Sequence, residues 1–327
     1  MGDVAMTVPV LLALTSQHPE VKITMISRPL FKPFFDDIPN VSFVEFKSQD
    51  QHKGILGLMK LAAELRKMDI DAFADLHNVI RSKAIRTILK LTGVNIAVFD
   101  KARKEKKALT RAKNKIFQQL PSVFDRHVKV FADLGLRINL DSPAFLPKKN
   151  LDEQVSLLLA NKSKPIIGIA PFAQHDSKVY PLDLMQQVID NLAVDNNLFL
   201  FGSKSEAMIL SQLASAANIE VVAGKLTFDQ ELQLISNLDL MLSMDSANGH
   251  IAAMYGVKVV TLYGATHPYT GFLPYNQPFE NALVSDRHKF PQLPTSIYGN
   301  KKVIGYENAM RTISPEMVVA KVSEVLS

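Results

Sequence analysis

Ser236 to Pro268 reads SNLDLMLSMDSANGHIAAMYGVKVVTLYGATHP, and this stretch decides the fold. Leu240 to Ser243 is an apolar run of strand length. The polar loop MDSANGH follows, then a short helix, then a second apolar run from Lys258 to Tyr263. Strand, helix and strand in that order make a parallel unit. In an open parallel sheet, ligands bind beyond the carboxyl ends of strands, close to helix N-termini. Asp245 and Ser246 put acceptors and a hydroxyl at that place, and Gly249 lets the backbone come close to a ligand. His250 enters the first helical turn. The second strand ends in Gly264-Ala265-Thr266-His267-Pro268, another small polar loop. Helix capping accounts for one of Asp245 and Ser246. It does not account for a second such loop after the neighbouring strand. The pair of loops points to a polar, phosphorylated small molecule.

The pattern extends outward from this stretch in both directions. Downstream, Ser314-Pro315-Glu316 starts the final helix with a cap and a proline in its first turn. Upstream, Pro165 to Ala170 is an apolar strand, followed by the polar loop Pro171 to Lys178 and a helix from Pro181 to about Ala193. Leu198 to Phe201 is a strand that leads through Gly202 to Glu206 into another helix. Val221 and Val222 form a short strand, and Thr227 with Gln230 makes a capping box that opens the helix to Ser236.

The first half repeats the theme. Ala5 to Leu14 reads as a helix, with Pro9 tolerable only near its first turn. Val21 to Ser27, Val41 to Phe46, Asp71 to Leu76 and Ile96 to Phe99 read as strands. Ile55 to Lys67, Arg81 to Leu91 and His127 to Leu136 read as helices. Asp141 to Lys149, with Pro143 and Pro147, changes character and marks a linker. The expected division is an N-terminal domain over 1–150 and a C-terminal domain over 151–327. Each is α/β and doubly wound around a parallel sheet.

Composition bounds the function. The 327 residues are 47% hydrophobic and 21% charged, ordinary for a globular chain of two domains. No apolar run is long enough for a membrane span, and no secretory pattern opens the chain. Cysteine is absent, which fits the cytoplasm and excludes thiol chemistry. The eight histidines show no zinc spacing. The net charge of +5 suits anionic small ligands or lipid headgroups and is no nucleic-acid signature. Lys101 to Lys115 carries eight Lys or Arg and one Glu. It reads as a solvated face or mobile loop, or as a basic flap near an anionic acceptor or membrane surface. Neither G-x-G-x-x-G nor G-x-x-x-x-G-K-[ST] occurs, which argues against a dinucleotide dehydrogenase and a P-loop NTPase. Asp69-Ile70-Asp71 has D-x-D spacing but precedes a strand in the first half, so it reads as a turn.

Asp245-Ser246-Ala247 with His250, Ala252 and Ala253, followed by Tyr263-Gly264-Ala265-Thr266-His267-Pro268, resembles the signature of glycosyltransferase family 9. These are the ADP-heptose:lipopolysaccharide heptosyltransferases and their relatives. The resemblance runs over almost the whole chain, from Gly2 to the last helix. It implies a GT-B fold, two Rossmann-like domains facing a central cleft, with a last helix that crosses back to the first domain. Family members begin with an apolar strand before a G-D-[VIL] loop and a helix with T-x-P. Here Gly2-Asp3-Val4 and Thr7-Val8-Pro9 stand without that strand, so the expectation is a start assigned late, or a sheet that lacks its first strand.

The resemblance also implies roles. Asp3 is the general base that deprotonates the acceptor. Lys178, in Ser177-Lys178-Val179-Tyr180-Pro181, resembles the lysine of K-x-W-P and neutralises the leaving diphosphate. The family's hydroxyls before that lysine are replaced by Ala173 and Gln174. Glu206 and Leu226 approach the adenosine. Asp245 binds sugar hydroxyls, and Ser246, Ala247 and His250 contact phosphate or sugar. Asp75-Leu76-His77-Asn78 with Arg81-Ser82 resembles D-L-Q/H-x-x-x-R-S, which makes Arg81 and His77 the acceptor-binding pair. The expected reaction is inverting, metal-independent transfer of heptose from a nucleotide diphosphate donor to a lipopolysaccharide core or other surface glycan. It would take place in the cytoplasm, with peripheral contact at the inner membrane and no nucleic-acid partner. The alternatives are a different nucleotide sugar, or a homologue that binds a nucleotide sugar without turnover.

Overall fold

A computed structural model describes residues 1–160 and 162–327. Its helices and strands in chain order are α1 (Gly2–Ala5), α2 (Val8–Gln17), β1 (Ile23–Ser27), β2 (Val41–Glu45), α3 (Gly54–Arg66), β3 (Ala72–Asp75), α4 (Ile80–Lys90) and β4 (Asn95–Val98). Then come α5 (Arg103–Thr110), α6 (Val123–Ala132), α7 (Glu153–Leu159), β5 (Ile166–Ala170), α8 (Leu182–Leu192), β6 (Asn197–Leu200) and α9 (Ala207–Leu213). The chain closes with β7 (Ile219–Val221), α10 (Phe228–Ser236), β8 (Leu240–Met244), α11 (Ala247–Met254), β9 (Lys258–Tyr263), β10 (Ala282–Val284) and α12 (Pro315–Leu326). Two compact units result. Asp3–Ala102 and Pro121–Leu146 form the first, with Met1. Arg103–Leu120 and Pro147–Ser327 form the second, with Gly2.

The second unit is built on one six-stranded parallel sheet in the order β10-β9-β8-β5-β6-β7. Its strands are apolar runs because helices cover both faces. On one face Ile167, Ile169, Leu240, Leu242, Val260 and Leu262 meet Met185, Val188 and Ile189 of α8 and Val318 and Val322 of α12. On the other, Gly168 leaves room for Leu238 and Met241, since a Cβ there would lie 2.5 Å from Leu238 Cδ1. The final helix α12 packs on α8, β8 and β9 and belongs to the second unit, where the expectation was that it crosses back.

The basic run is also part of the second unit, and it is ordered. In α5, Lys106 and Leu109 turn inward, with the Lys106 ammonium 4.6 Å from the Phe272 ring centroid. Lys115 donates to the carbonyls of Leu109 and Pro294 at 2.7 and 2.8 Å. Burial, then the Arg287 charge, lowers its pKa to about 8. Arg103, Lys104, Lys107, Arg111 and Lys113 stay exposed. The reading as a solvated face therefore holds for these five cations only. Lys106 and Lys115 fasten the segment instead.

The first unit has two separate two-stranded parallel sheets, β1-β2 and β3-β4. Ile23 stands opposite Val41 in one, and Ala72 opposite Asn95 in the other. The continuous sheet suggested by the alternation of elements is thus divided, with the ladder broken between the pairs. The helix read over Ala5 to Leu14 is divided as well. α1 ends before Met6, and α2 starts at Val8 with Pro9 in its first turn, where the missing N–H costs nothing. α3 and α4 pack side by side through Leu58, Leu61, Leu65, Ile85 and Leu89.

Candidate functional site

In the second unit the strand order reverses direction between β5 and β8, because β6 and β7 lie on one side of β5 while β8, β9 and β10 lie on the other. Chain connections leave that point on opposite sides, so a crevice opens beyond the strand ends. Lys178 and Asp245 meet there. Lys178 follows β5 in a single 3-10 turn, and Asp245 follows β8 directly. The Lys178 ammonium lies 3.3 Å from Oδ2 of Asp245, and the side chains are 13% and 8% exposed.

The surrounding loops hold this pair in place. Ser177 donates its hydroxyl to the Gly299 carbonyl at 2.6 Å, and its own carbonyl accepts from the Ala265 N–H at 3.0 Å. Gly299 sits at φ 82° against the Lys178 stem, where a Cβ would come within 2.6 Å of Cγ. Tyr180 is buried, and its hydroxyl donates to the Ile313 carbonyl at 2.6 Å. Burial raises its pKa to about 12, so it stays a phenol and a core anchor.

Ser246 is the N-cap residue of α11, yet its side chain makes no capping bond. Its Oγ and the Oγ1 of Thr266, which is 1% exposed, are buried without a hydrogen-bond partner among the described residues. Unpaired buried hydroxyls are costly, and a ligand oxygen at this place would satisfy them. The capping explanation for Ser246 therefore fails. Thr266 stood in the motif but was not carried into the expected site; it lies in the loop after β9, the strand next to β8. Ala247 opens α11, and His250 is buried in its first turn.

Two expectations need correction. Gly249 makes room within the fold itself. A Cβ there would lie 2.6 Å from Ser243 Oγ, so the glycine lets α11 lie against β8. His267 does not present a free imidazole. Its Nδ1 accepts from the Tyr269 N–H at 3.1 Å, and its ring meets Tyr269 and Phe117 edge-on at 4.6 and 5.1 Å. Burial, then Arg287, lowers its pKa to about 4, so it is neutral at pH 7.

Further along the sheet edge, Glu206 closes a capping box. Its Oε2 accepts from the N–H and hydroxyl of Ser203 at 2.6 and 2.8 Å. Gly224, at φ 70°, brings the loop after β7 against Lys204, next to Glu206, and half-buried Leu226 follows in that loop. Asp245, Lys178, Glu206 and Leu226 thus follow β8, β5, β6 and β7, which are neighbours in that order. At roughly 4.8 Å per strand the row spans about 14 Å, the scale of a nucleotide sugar. Among the described residues no group of three or more His, Asp or Glu side chains is placed to hold a metal ion.

The first unit gathers the other expected residues. Buried Asp75 accepts from the N–H groups of His77 and Asn78 at 3.2 and 2.6 Å, and from Arg86 at 2.7 Å. Arg86 also donates to the Asn78 side chain at 3.2 Å. This network fixes the loop between β3 and α4, and nothing in the sequence singled out Arg86 for it. His77 Nε2 then lies 3.8 Å from Oδ2 of Asp3, both side chains more than half exposed. Desolvation lowers the His77 pKa, and the Asp3 charge opposes that shift. Arg81 makes no ion pair among the described salt bridges. Its guanidinium sits 5.8 Å from the Phe46 ring centroid.

Comparison with known proteins bears on the family and the fold. The sequence pattern of glycosyltransferase family 9 (heptosyltransferase) matches residues 58–302. The chain is 25% identical over 332 residues to lipooligosaccharide heptosyltransferase 2 of Campylobacter jejuni, covering 99% of this chain and 96% of that one. A crystal structure of a family 9 glycosyl transferase from Veillonella parvula superposes with a TM-score of 0.75 at 18% identity, covering 100% and 94% of the two chains. The ADP-heptose lps heptosyltransferase II of E. coli superposes with a TM-score of 0.68 at 20% identity, covering 99% and 95%.

Proposed function

The chain belongs to glycosyltransferase family 9 and has the GT-B fold, and from that premise we propose that it transfers heptose from ADP-heptose to a lipopolysaccharide inner-core acceptor. The observation that carries the donor assignment is the buried Lys178–Asp245 pair at the reversal point of the sheet, with the hydroxyls of Ser246, next to Asp245, and of Thr266, in the loop after β9, unpartnered among the described residues. A diphosphate suits these groups. The ammonium neutralises charge that grows as the diphosphate leaves, and the hydroxyls donate to its oxygens. Asp245 accepts from sugar hydroxyls, while Ala247 and His250 line the start of α11. Glu206 and Leu226 take the nucleoside end, with Glu206 turning its remaining oxygen to the ribose.

The first unit binds the acceptor. Arg81 and His77 hold its anionic groups, and Asp3 is the general base. The acceptor oxygen loses its proton to Asp3 and bonds to the anomeric carbon as the bond to the diphosphate oxygen breaks. The configuration inverts, and the electron pair leaves with ADP. The chemistry proceeds without a resident metal, because Lys178 supplies the positive charge. The enzyme works in the cytoplasm and touches the inner membrane peripherally, where a glycolipid acceptor is anchored. No described helix is long and apolar enough to cross a membrane.

Calorimetry with ADP, ADP-heptose and UDP tests the donor assignment. Tight binding of ADP and ADP-heptose, lost in Lys178→Gln, supports it. A preference for UDP moves the assignment to another sugar, and no binding of any nucleotide overturns the site.

A further inference from the structure

The first unit carries an exposed apolar surface next to Arg81, the proposed acceptor residue. Ile55 and Leu56, in the first turn of α3, are 76% and 80% exposed, and Ile80, the first residue of α4, is 86% exposed. Met59 continues the strip at 51%. The two helix starts are close together. Arg81 lies over Phe46, Phe46 stacks on His52 at 5.7 Å, and His52 immediately precedes Lys53, the N-cap residue of α3. Lys53, Lys60 and Lys83 are exposed around the apolar side chains, and no acidic residue occurs in 53–60 or 79–83. Single exposed aliphatic residues are ordinary, but four gathered at two neighbouring helix starts form an apolar patch of the kind that marks an interaction surface. Lys53, Lys60, Arg81 and Lys83 outnumber the nearby acids, Asp50 before Lys53 and Glu64 beside His52, and a net positive rim matches an anionic lipid surface, into which aliphatic tips insert while lysines stay at the headgroups.

We infer that the tip formed by Ile55, Leu56, Met59 and Ile80 docks the protein on an anionic bilayer, with Lys53, Lys60 and Lys83 at the headgroup level. This deepens the peripheral-contact reading above by naming the surface, and it does not involve the donor site.

Flotation with vesicles of equal parts phosphatidylglycerol and phosphatidylcholine tests it. The unaltered chain is expected to bind these vesicles and not pure phosphatidylcholine, with binding weakened by salt. Ile55→Asp with Leu56→Asp is expected to reduce partitioning about a hundredfold, since two inserted aliphatic side chains are lost. Lys53→Gln, Lys60→Gln and Lys83→Gln together are expected to reduce it about tenfold or more. These side chains are exposed, and an unchanged melting temperature and circular dichroism spectrum establishes that each variant is folded. Full binding by the folded Asp variant overturns this surface and leaves membrane contact to the exposed cations of 103–113. No binding by the unaltered chain overturns membrane contact altogether. Self-association abolished by the same substitutions, without vesicle binding, assigns the tip to a second copy and also overturns the inference. ADP binding measured in parallel keeps these outcomes separate from the transferase reading.

Discussion

The Lys178 ammonium lies 3.3 Å from the Asp245 carboxylate, and both side chains are nearly buried where the sheet order reverses. Removing one member of such a pair leaves the other uncompensated. Lys178→Gln is expected to weaken ADP binding by about 1.5–3 kcal/mol, a loss of roughly tenfold to a hundredfold. Calorimetry reads the affinity. Unchanged affinity would remove Lys178 from the phosphate site.

Asp3→Asn is expected to lower transfer by about a hundredfold to ten thousandfold, the usual share of a general base. ADP affinity should remain, since Asp3 belongs to the first unit and the donor groups to the second. Equal loss of binding and turnover would make Asp3 structural. Full turnover would end its assignment as base.

Two buried histidines predict the acid limb of stability. His127 is 2% exposed, and burial lowers its pKa to about 4. His267 is lowered to about 4 in the same way. A histidine in the unfolded chain titrates near 6.5, so between about pH 6.5 and 4 the unfolded state binds more protons. Stability is full above pH 6.5 and falls as pH drops toward 4, by about 2 kcal/mol per group at pH 5. Thermal melts at pH 7 and 5 measure this. His127→Phe, which keeps a ring against Phe99 at 5.0 Å, should shrink the difference. An unchanged difference would show that His127 is not the titrating group.

Gly249→Ala places a Cβ 2.6 Å from Ser243 Oγ. It should destabilise the second unit by about 1–3 kcal/mol, as overpacking does. Ser243→Ala removes a buried hydroxyl that has no partner among the described residues, so it should be close to neutral. The double variant should regain most of the loss, which denaturant unfolding resolves as a coupling energy. Additive effects would contradict the contact.

A chelator tests the absence of a metal requirement. Turnover is expected to survive exhaustive treatment with EDTA, and loss restored by one divalent ion would refute the metal-independent mechanism.

Much of the second unit was legible locally. Its strands are short apolar runs, because a sheet covered on both faces requires them, and its loops carry the polar residues at strand ends. The stretch from Ser236 to Pro268 therefore showed β8, α11 and β9 and the position of Asp245 and Ser246. Less was legible where a residue's role depends on a distant partner. Gly249 looked like room for a ligand and is room for Ser243. His267 stood in a polar loop at a strand end and packs on Tyr269 and Phe117. The run 101–115 read as solvated or as a flap, yet Lys106 and Lys115 turn inward to Phe272 and Pro294.

By itself the sequence determined the α/β alternation, the family motifs and which residue types stand at strand ends, since these follow from period, spacing and turn chemistry over a few neighbours. Only the tertiary structure decided that Lys178 meets Asp245, that Ser246 and Thr266 keep their hydroxyls unpartnered among the described residues, and that the strands of the first unit pair as two separate ladders. Those outcomes depend on strand order and helix packing, which join residues 67 positions apart and have no signature in local spacing.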